Sequence, residues 1–349
     1  MQYALIDMGS NSIRLTVYDL DKTNFKILFK KKIMAGLAAF VKDGVLTQDG
    51  IHCACNSLQV FQHTLERLHI ENLAVFATAS LRNIANTDQA LEQIQQTTGI
   101  CVEVLSGEME AECGYYGAIT DVQVDDGLFV DIGGASAELA LFAQGTLQKA
   151  GSVPVGSLKL YRDCVKKIMP GKESRQRIEK AVRKAFESSD LKDIPKETQI
   201  VGVGGTIRAT LRLCKKLCGL PEDSRTFNRE QLEELTRYLC KNDKDAMDLI
   251  LLYEPERIHT LVPGVLLLRY LMDQYGAQTV TVSHYGVREG YLHQKIQPAL
   301  PDNSRHANKQ LPFFEGFRFR FSPGWNRKRK NDRPASANEA GRLLFYAGC

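Results

Sequence analysis

One short pattern occurs twice in this chain. Residues 4–15 read "ALIDMGSNSIRL", and residues 128–139 read "LFVDIGGASAEL". Each has an apolar run, an Asp, a Gly, a turn of small residues, and a second apolar run. Glycine after a strand lets the backbone reverse sharply, and the alternation on both sides reads as an antiparallel hairpin. A hairpin that restarts midway marks an internal duplication. Two homologous α/β units facing one another would set the two turns on opposite walls of a shared cleft.

Length agrees with this division. At 349 residues the chain exceeds the size at which one core keeps growing. The predicted units are 1–120 and 121–299, with the last helix free to pack back on the first unit, and 300–349 as an extension. Strands are predicted around Leu15 and Val17 and at "FKILFKKKIM", "NLAVFATAS" and "CVEVLS". Helices are predicted at "LTQDGIHCACNSLQVFQHTLERLHI", "NTDQALEQIQQTTG" and "GEMEAECGYYGAI". In the first helix Leu58, Phe61, Leu65 and Leu68 share one face, and Thr47 or Asp49 supplies the cap. After the second hairpin come a helix at "ESRQRIEKAVRKAFES", a strand, glycine turn and helix at "TQIVGVGGTIRATLRL", and helical "NREQLEELTRYLCKND". The chain then runs on through "RIHTLVPGVLLLRYLMDQYG" and "TVTVSHYGVREGYLHQKI".

Charge and cysteine usage narrow the function classes. Residues 301–349 hold ten Lys/Arg against four Asp/Glu, whereas residues 1–300 hold 35 against 37. A near-neutral body argues against nucleic-acid binding through a general field. The Arg-rich extension is read as a solvated tail, with polyanion tethering as the alternative. No apolar run reaches the roughly 18 residues of a membrane span, and the first residues lack the basic segment of a secretion signal. The nine cysteines form no CxxC pair. Cys214 and Cys218 are four apart on a helix, without a partner pair to complete a metal site. The expectation is a cytoplasmic protein with reduced thiols.

The turns carry the chemistry. Gly9, Ser10, Asn11 and Ser12 offer backbone and side-chain donors to an anion. Asp7 beside them needs a cation to face a phosphate, which implies Mg²⁺. Gly133, Gly134, Ala135 and Ser136 repeat the arrangement after Asp131. Either loop alone is also an ordinary hairpin turn; the matched pair is the signal. A third turn, Gly204, Gly205 and Thr206, joins a strand to a helix N-terminus, where free N–H groups favour anions. Glu138, two residues past Ser136, points to the same side of its strand. Arg82 in "ATASLRNIAN" is assigned a catalytic role, gripping a phosphate with two nitrogens, with a helix-start ion pair as the alternative; Thr78 of that stretch is assigned to the phosphate-binding set. Among Glu108, Glu110 and Glu112, helical geometry puts Glu110 on the face opposite its neighbours.

These motifs, with "SGEMEA", "VGVGGTIRA", "PERIHTLVPG" and "SHYGVREG", occur in the order found in the exopolyphosphatase/guanosine pentaphosphate phosphatase family, which the chain resembles from residue 1 to about 297. The resemblance implies an α/β fold of two duplicated actin-like (ribonuclease H-like) domains with an interdomain cleft. It implies Mg²⁺-dependent release of terminal phosphate from polyphosphate or guanosine pentaphosphate. It also assigns water activation to Glu110, the second acid of a Glu pair whose first member here is Met109, and makes Asp131 and Glu138 candidate metal or water ligands. Ala135 and Gly204 replace a glycine and a serine of the family pattern. The long C-terminal helical domains of larger members are not in this sequence, which reads as the short form. A homodimer is common for such folds. Two rivals stand beside this reading: an ATP-dependent small-molecule kinase of the same superfamily, and a sensor that binds an alarmone without cleaving it.

Overall fold

Two sheets carry the chain, and both are assembled by the same steps. The computed structural model describes residues 1–196, 199–241 and 243–300. In the first sheet, Gln2–Met8, Ile13–Leu20 and Phe25–Ile33 form an antiparallel meander, and Leu73–Ala77 and then Glu103–Val104 add in parallel beside Gln2–Met8. In the second, Gly127–Ile132, Ala137–Ala143 and Thr146–Val153 repeat the meander, and Gln199–Val203 adds in parallel beside Gly127–Ile132. Thr279–Val282 extends it in parallel, and the short antiparallel strand Thr226–Asn228 closes the edge. The architecture is the duplicated α/β class that the sequence implied. The repeated turns have identical ladder positions: Asp7 pairs with Arg14, and Asp131 pairs with Glu138.

A parallel neighbour requires a crossover, and helices supply it. Helix Gln48–Arg67 starts where the Thr47 hydroxyl accepts the Gly50 N–H at 3.3 Å, and it buries Leu58, Phe61 and Leu65. Leu68, placed on that face by the sequence, lies just past the last turn and is exposed. Helix Arg229–Cys240 opens with a reciprocal cap between Asn228 and Gln231. Helices Ser157–Cys164, Lys244–Tyr253 and Leu261–Tyr275 were not assigned from periodicity. The second leaves Leu251 and Leu252 exposed, which blurs its apolar face. Among the described residues no helix is long and apolar enough to cross a membrane. The basic extension assigned to 300–349 lies outside the described residues apart from Leu300.

Helix Gly107–Ile119 serves both sheets. Its Cys113 packs with Leu5, Phe76 and Tyr291, while Tyr115 and Ala118 pack with Phe129, Phe142 and Val201. A helix buried on two sides must be apolar nearly all round. Helix Val287–Tyr291 crosses it backbone to backbone: a Cβ at Gly290 would lie 1.7 Å from the Cys113 carbonyl oxygen. No side-chain rotation relieves that contact. Gly290→Ala should therefore cost about 1–3 kcal/mol, the range for overpacking, despite alanine's higher helix propensity. Urea unfolding measures it, and an unchanged midpoint would show that the crossing is looser than described.

Candidate active site

The two hairpin turns are superposable in their hydrogen bonding. Gly9 N–H donates to the Ser12 carbonyl at 3.1 Å, and Gly133 N–H donates to the Ser136 carbonyl at 3.0 Å. Four further carbonyls of the turns are tied back by later segments. Ser10 and Asn11 accept from the N–H groups of Ala38 and Gly36 at 2.9 and 3.0 Å. Gly133 accepts from Ser157, and Gly134 accepts from Leu158 and Lys159. Among the described residues no protein acceptor takes the amides of Ser10, Asn11, Gly134 or Ala135, so these donors are left for a ligand. The loops meet face to face: a Cβ on Gly134 would sit 3.7 Å from the Ser10 Cβ.

Behind them lies a cavity of about 150 Å³. Gly9, Ser10, Asn11 and Ser12 form one wall; Gly133, Gly134, Ala135 and Ser136 form another; Gly204, Gly205 and Thr206 join them. Asp7, Asp131, Thr78 and Glu110 complete the set that the sequence placed here. Arg82 and Glu138 are not on the cavity wall. They stand behind Glu110, where the Arg82 guanidinium makes a 2.6 Å bond to Glu110 Oε2, a 3.1 Å bond to the Leu105 carbonyl and a 3.3 Å contact to Ser152 Oγ, and lies 3.6 Å from Glu138 Oε1. Ser152 Oγ donates to that same Glu138 oxygen at 2.7 Å. Of the two roles open to Arg82, the structure uses the ion pair. Glu108 is exposed and Glu112 half-buried, so only Glu110 of that helix reaches the site.

Four arginines also line the cavity, and the sequence reading assigned none of them: Arg14, Arg208, Arg257 and Arg288. Each sits inside a motif that had been singled out. Arg14 stands opposite Asp7 in the ladder, Arg208 is on helix Gly204–Cys218 just after the glycine turn, and Arg257 and Arg288 belong to "PERIH" and "GVREG". Cross-strand pairing was the available signal for Arg14, because opposed residues share a sheet face. The others come from distant segments, and only the fold unites them.

The third glycine turn has a tighter role than anion binding. Gly204 has φ +84°, and a Cβ there would fall 2.1 Å from Asp131 Oδ1. At Gly205 a Cβ would fall 1.8 Å from Arg257 Nη2. The turn thus seats a carboxylate from one side and a guanidinium from the other.

Burial sets the electrostatics. It pushes the Asp7 and Asp131 carboxyls up, against the pull of Arg14 on both, of Arg288 on Asp7 and of Arg208 on Asp131. Asp7 itself raises Asp131, so the two carboxylates sense each other. Arg288 Nε lies 4.0 Å from Asp7 Oδ2. Burial lowers Arg208 to about 10, helped by Arg14, Arg288 and Arg257 and opposed by Asp131. Burial and Glu138 hold Glu110 well above the usual carboxylate range, and Arg82 pulls it down. Glu138 is raised to about 7, first by burial and then by Asp131.

Asp7 and Asp131 are oxygen donors in one cavity whose charges are mutually unfavourable, which suits a divalent cation. Among the described residues no group of three or more His, Cys, Asp or Glu side chains converges as a metal cage. Two carboxylates fit Mg²⁺, which retains water and takes substrate oxygens for its remaining ligands.

A raised carboxyl binds its proton more tightly in the folded state. The stability it contributes is complete below the unfolded value and is lost as pH climbs through the folded one. For Glu138 that window runs from about 4.5 to about 7. Thermal unfolding of the protein should show the melting temperature falling across this window, and Glu138→Gln should flatten the fall. An equally steep fall in the variant would place the titrating group elsewhere.

Comparison with known proteins agrees with this geometry. The pattern of the Ppx/GppA phosphatase family matches residues 16–298. The chain is 25% identical over 299 residues to a bifunctional 3-dehydroquinate synthase/phosphatase of Fusobacterium nucleatum, covering 80% of this chain but only 44% of that protein. It is 25% identical over 296 residues to a protein of Haemophilus influenzae provisionally named an exopolyphosphatase, covering 84% of this chain and 90% of the other. Among solved structures, an exopolyphosphatase from Cytophaga hutchinsonii superposes with a TM-score of 0.73 at 20% identity, over 84% of this chain and 97% of that one. The Ppx/GppA family member of Aquifex aeolicus gives 0.69 at 22% identity, over 85% and 98%. With the family pattern spanning residues 16–298, most of its length, the chain belongs to the Ppx/GppA phosphatase family.

Proposed function

We propose that this protein hydrolyses the terminal phosphoanhydride bond of inorganic polyphosphate and releases orthophosphate. The observation that carries the reading is Glu110. Its Oε2 is fixed by Arg82 at 2.6 Å, its Oε1 receives no protein donor among the described residues, and it faces a cavity otherwise built from anion-binding groups. A carboxylate there has no role in gripping phosphate; it suits the orientation and deprotonation of water.

In this mechanism the amides of the two hairpin loops hold the terminal phosphoryl group. Arg14, Arg208, Arg257 and Arg288 offset the charge on its oxygens and on the leaving phosphates. Glu110 aligns a water for in-line attack and takes its proton as the new P–O bond forms and the anhydride P–O bond breaks. Asp7 and Asp131 would hold Mg²⁺, which when bound supplies further neutralisation of the phosphate oxygens. The relatives' phosphatase and exopolyphosphatase names support the reaction class.

A second substrate has a specific observation in its favour. A larger cavity of about 410 Å³ adjoins the first, sharing Ser10, Ala79, Gly134 and Ala135 with it and adding the apolar Val41, Ile84 and Pro154. Such a chamber suits the nucleoside of guanosine pentaphosphate beside its terminal phosphate. Parallel assays of orthophosphate release from tripolyphosphate and from guanosine pentaphosphate separate the two substrates. An acceptor-dependent conversion of ATP to ADP would instead favour the kinase, and binding without release would favour the sensor.

Glu110→Gln should leave substrate binding intact and lower kcat by roughly 10²–10⁴-fold, the range for a lost general base. Near-normal turnover would remove Glu110 from that role. Because Arg82 pulls the Glu110 carboxyl down, Arg82→Gln should let it rise. The acid limb of the kcat profile should then move to higher pH; a limb that stays in place would uncouple the pair.

A further inference from the structure

Arg257 enters the cavity from a turn outside both sheets, and it enters against repulsion. Burial lowers its proton affinity first, Arg14 and Arg212 lower it further, and Glu254 opposes them. Two features hold it there. Gly205 leaves space for the guanidinium, whose Nη2 lies 1.8 Å from the point a Cβ would occupy. Glu254 lies behind it, with Oε2 3.5 Å from Arg257 Nε. Glu254 is only 5% exposed although it is a carboxylate, and its other oxygen, Oε1, accepts from Arg212 Nε.

The backbone reinforces this arrangement. Glu254 ends helix Lys244–Tyr253 with its N–H on the Ile250 carbonyl at 2.7 Å, and its own carbonyl accepts the Arg257 N–H at 2.8 Å across the turn Pro255–Arg257. Glu256 of the same turn pairs with Lys32 of strand Phe25–Ile33 at 2.5 Å, so the turn is also anchored to the first sheet. A guanidinium has three nitrogens. With Glu254 paired on the Nε side at 3.5 Å, the two terminal nitrogens are the edge that remains for a bidentate phosphate contact.

We propose that Glu254 is the positioning residue for Arg257: it anchors the guanidinium by Nε so that its terminal nitrogens face the phosphate cavity, and it thereby sets affinity for the substrate polyanion. This rests on the reading of the cavity as a polyphosphate site. Glu254 touches no substrate atom and takes no proton in the reaction. Its contribution is made equally in the ground state and the transition state, which places its effect in KM rather than kcat.

The test uses the full chain with inorganic tripolyphosphate as the probe. Glu254→Gln should raise KM about tenfold while kcat stays within about threefold, the pattern of lost uniform binding. In an Arg257→Gln background the same change should add nothing further, because the two act as one unit. A change in KM below twofold, or fully additive effects, would overturn the proposal. A second readout needs no turnover: the Arg257 Nε–Hε correlation in an NMR spectrum, assigned by its loss in Arg257→Lys, should shift and broaden in Glu254→Gln. An unchanged signal would equally overturn the proposal. Should Glu254→Gln fail to fold, Glu254→Asp carries the same comparisons, its shorter reach weakening the anchor. If the wild-type protein releases no orthophosphate, the polyphosphate reading fails, and the NMR comparison still decides the role of Glu254.

Discussion

Four guanidinium groups crowded into one partly desolvated cavity are the constraint around which this structure is arranged. Burial disfavours the charges of Arg208, Arg257 and Arg288, and like charges brought together disfavour one another. The fold answers by drawing carboxylates inward from separate elements. Asp7 lies beside Arg288, Asp131 beside Arg208, and Glu254 behind Arg257. Glu289 is fixed in turn by the Tyr18 hydroxyl at 2.8 Å and the Gly286 N–H at 3.0 Å. These acids offset the arginines without covering the loop amides. What they leave is a site whose most favourable completion is an anion with several oxygens.

Duplication supplied the scaffold, and divergence at one ladder position supplied the chemistry. The two hairpins share turn length, register and internal hydrogen bond. Opposite the first Asp stands Arg14; opposite the second stands Glu138. The first copy therefore adds a cation to the cavity. The second adds an acid that leans away, toward Ser152, Arg82 and the base of Glu110. Helix Gly107–Ile119 makes this division productive, because packing against both sheets brings Glu110 to the junction of the loops.

Much of this was legible in the sequence for a physical reason. Hairpin turns are local, so Asp7, Gly9–Ser12, Asp131 and Gly133–Ser136 announce themselves by spacing alone. The wall contributed by Gly204, Gly205 and Thr206 is a strand-to-helix junction, equally local. Arg208, Arg257 and Arg288 were not legible as site residues, since nothing in a surface-like arginine says that its helix or turn folds over a cavity. Arg82 shows the converse. Its motif marked it as important, but motif order cannot distinguish a residue that touches phosphate from one that holds Glu110. Leu68 failed for a simpler reason: its helix ends one residue too soon to bury it.

The central claim is that a phosphorylated polyanion completes this charge cluster. It is tested most directly by the melting temperature of the protein with and without inorganic tripolyphosphate, repeated across a salt series. A ligand bound at about 100 times its Kd adds about 2.7 kcal/mol of stability, and its grip on exposed phosphate charge weakens as salt screens it. The account predicts a clear rise at low salt that shrinks steadily as salt is added. No rise at any salt concentration, or a rise indifferent to it, would contradict it.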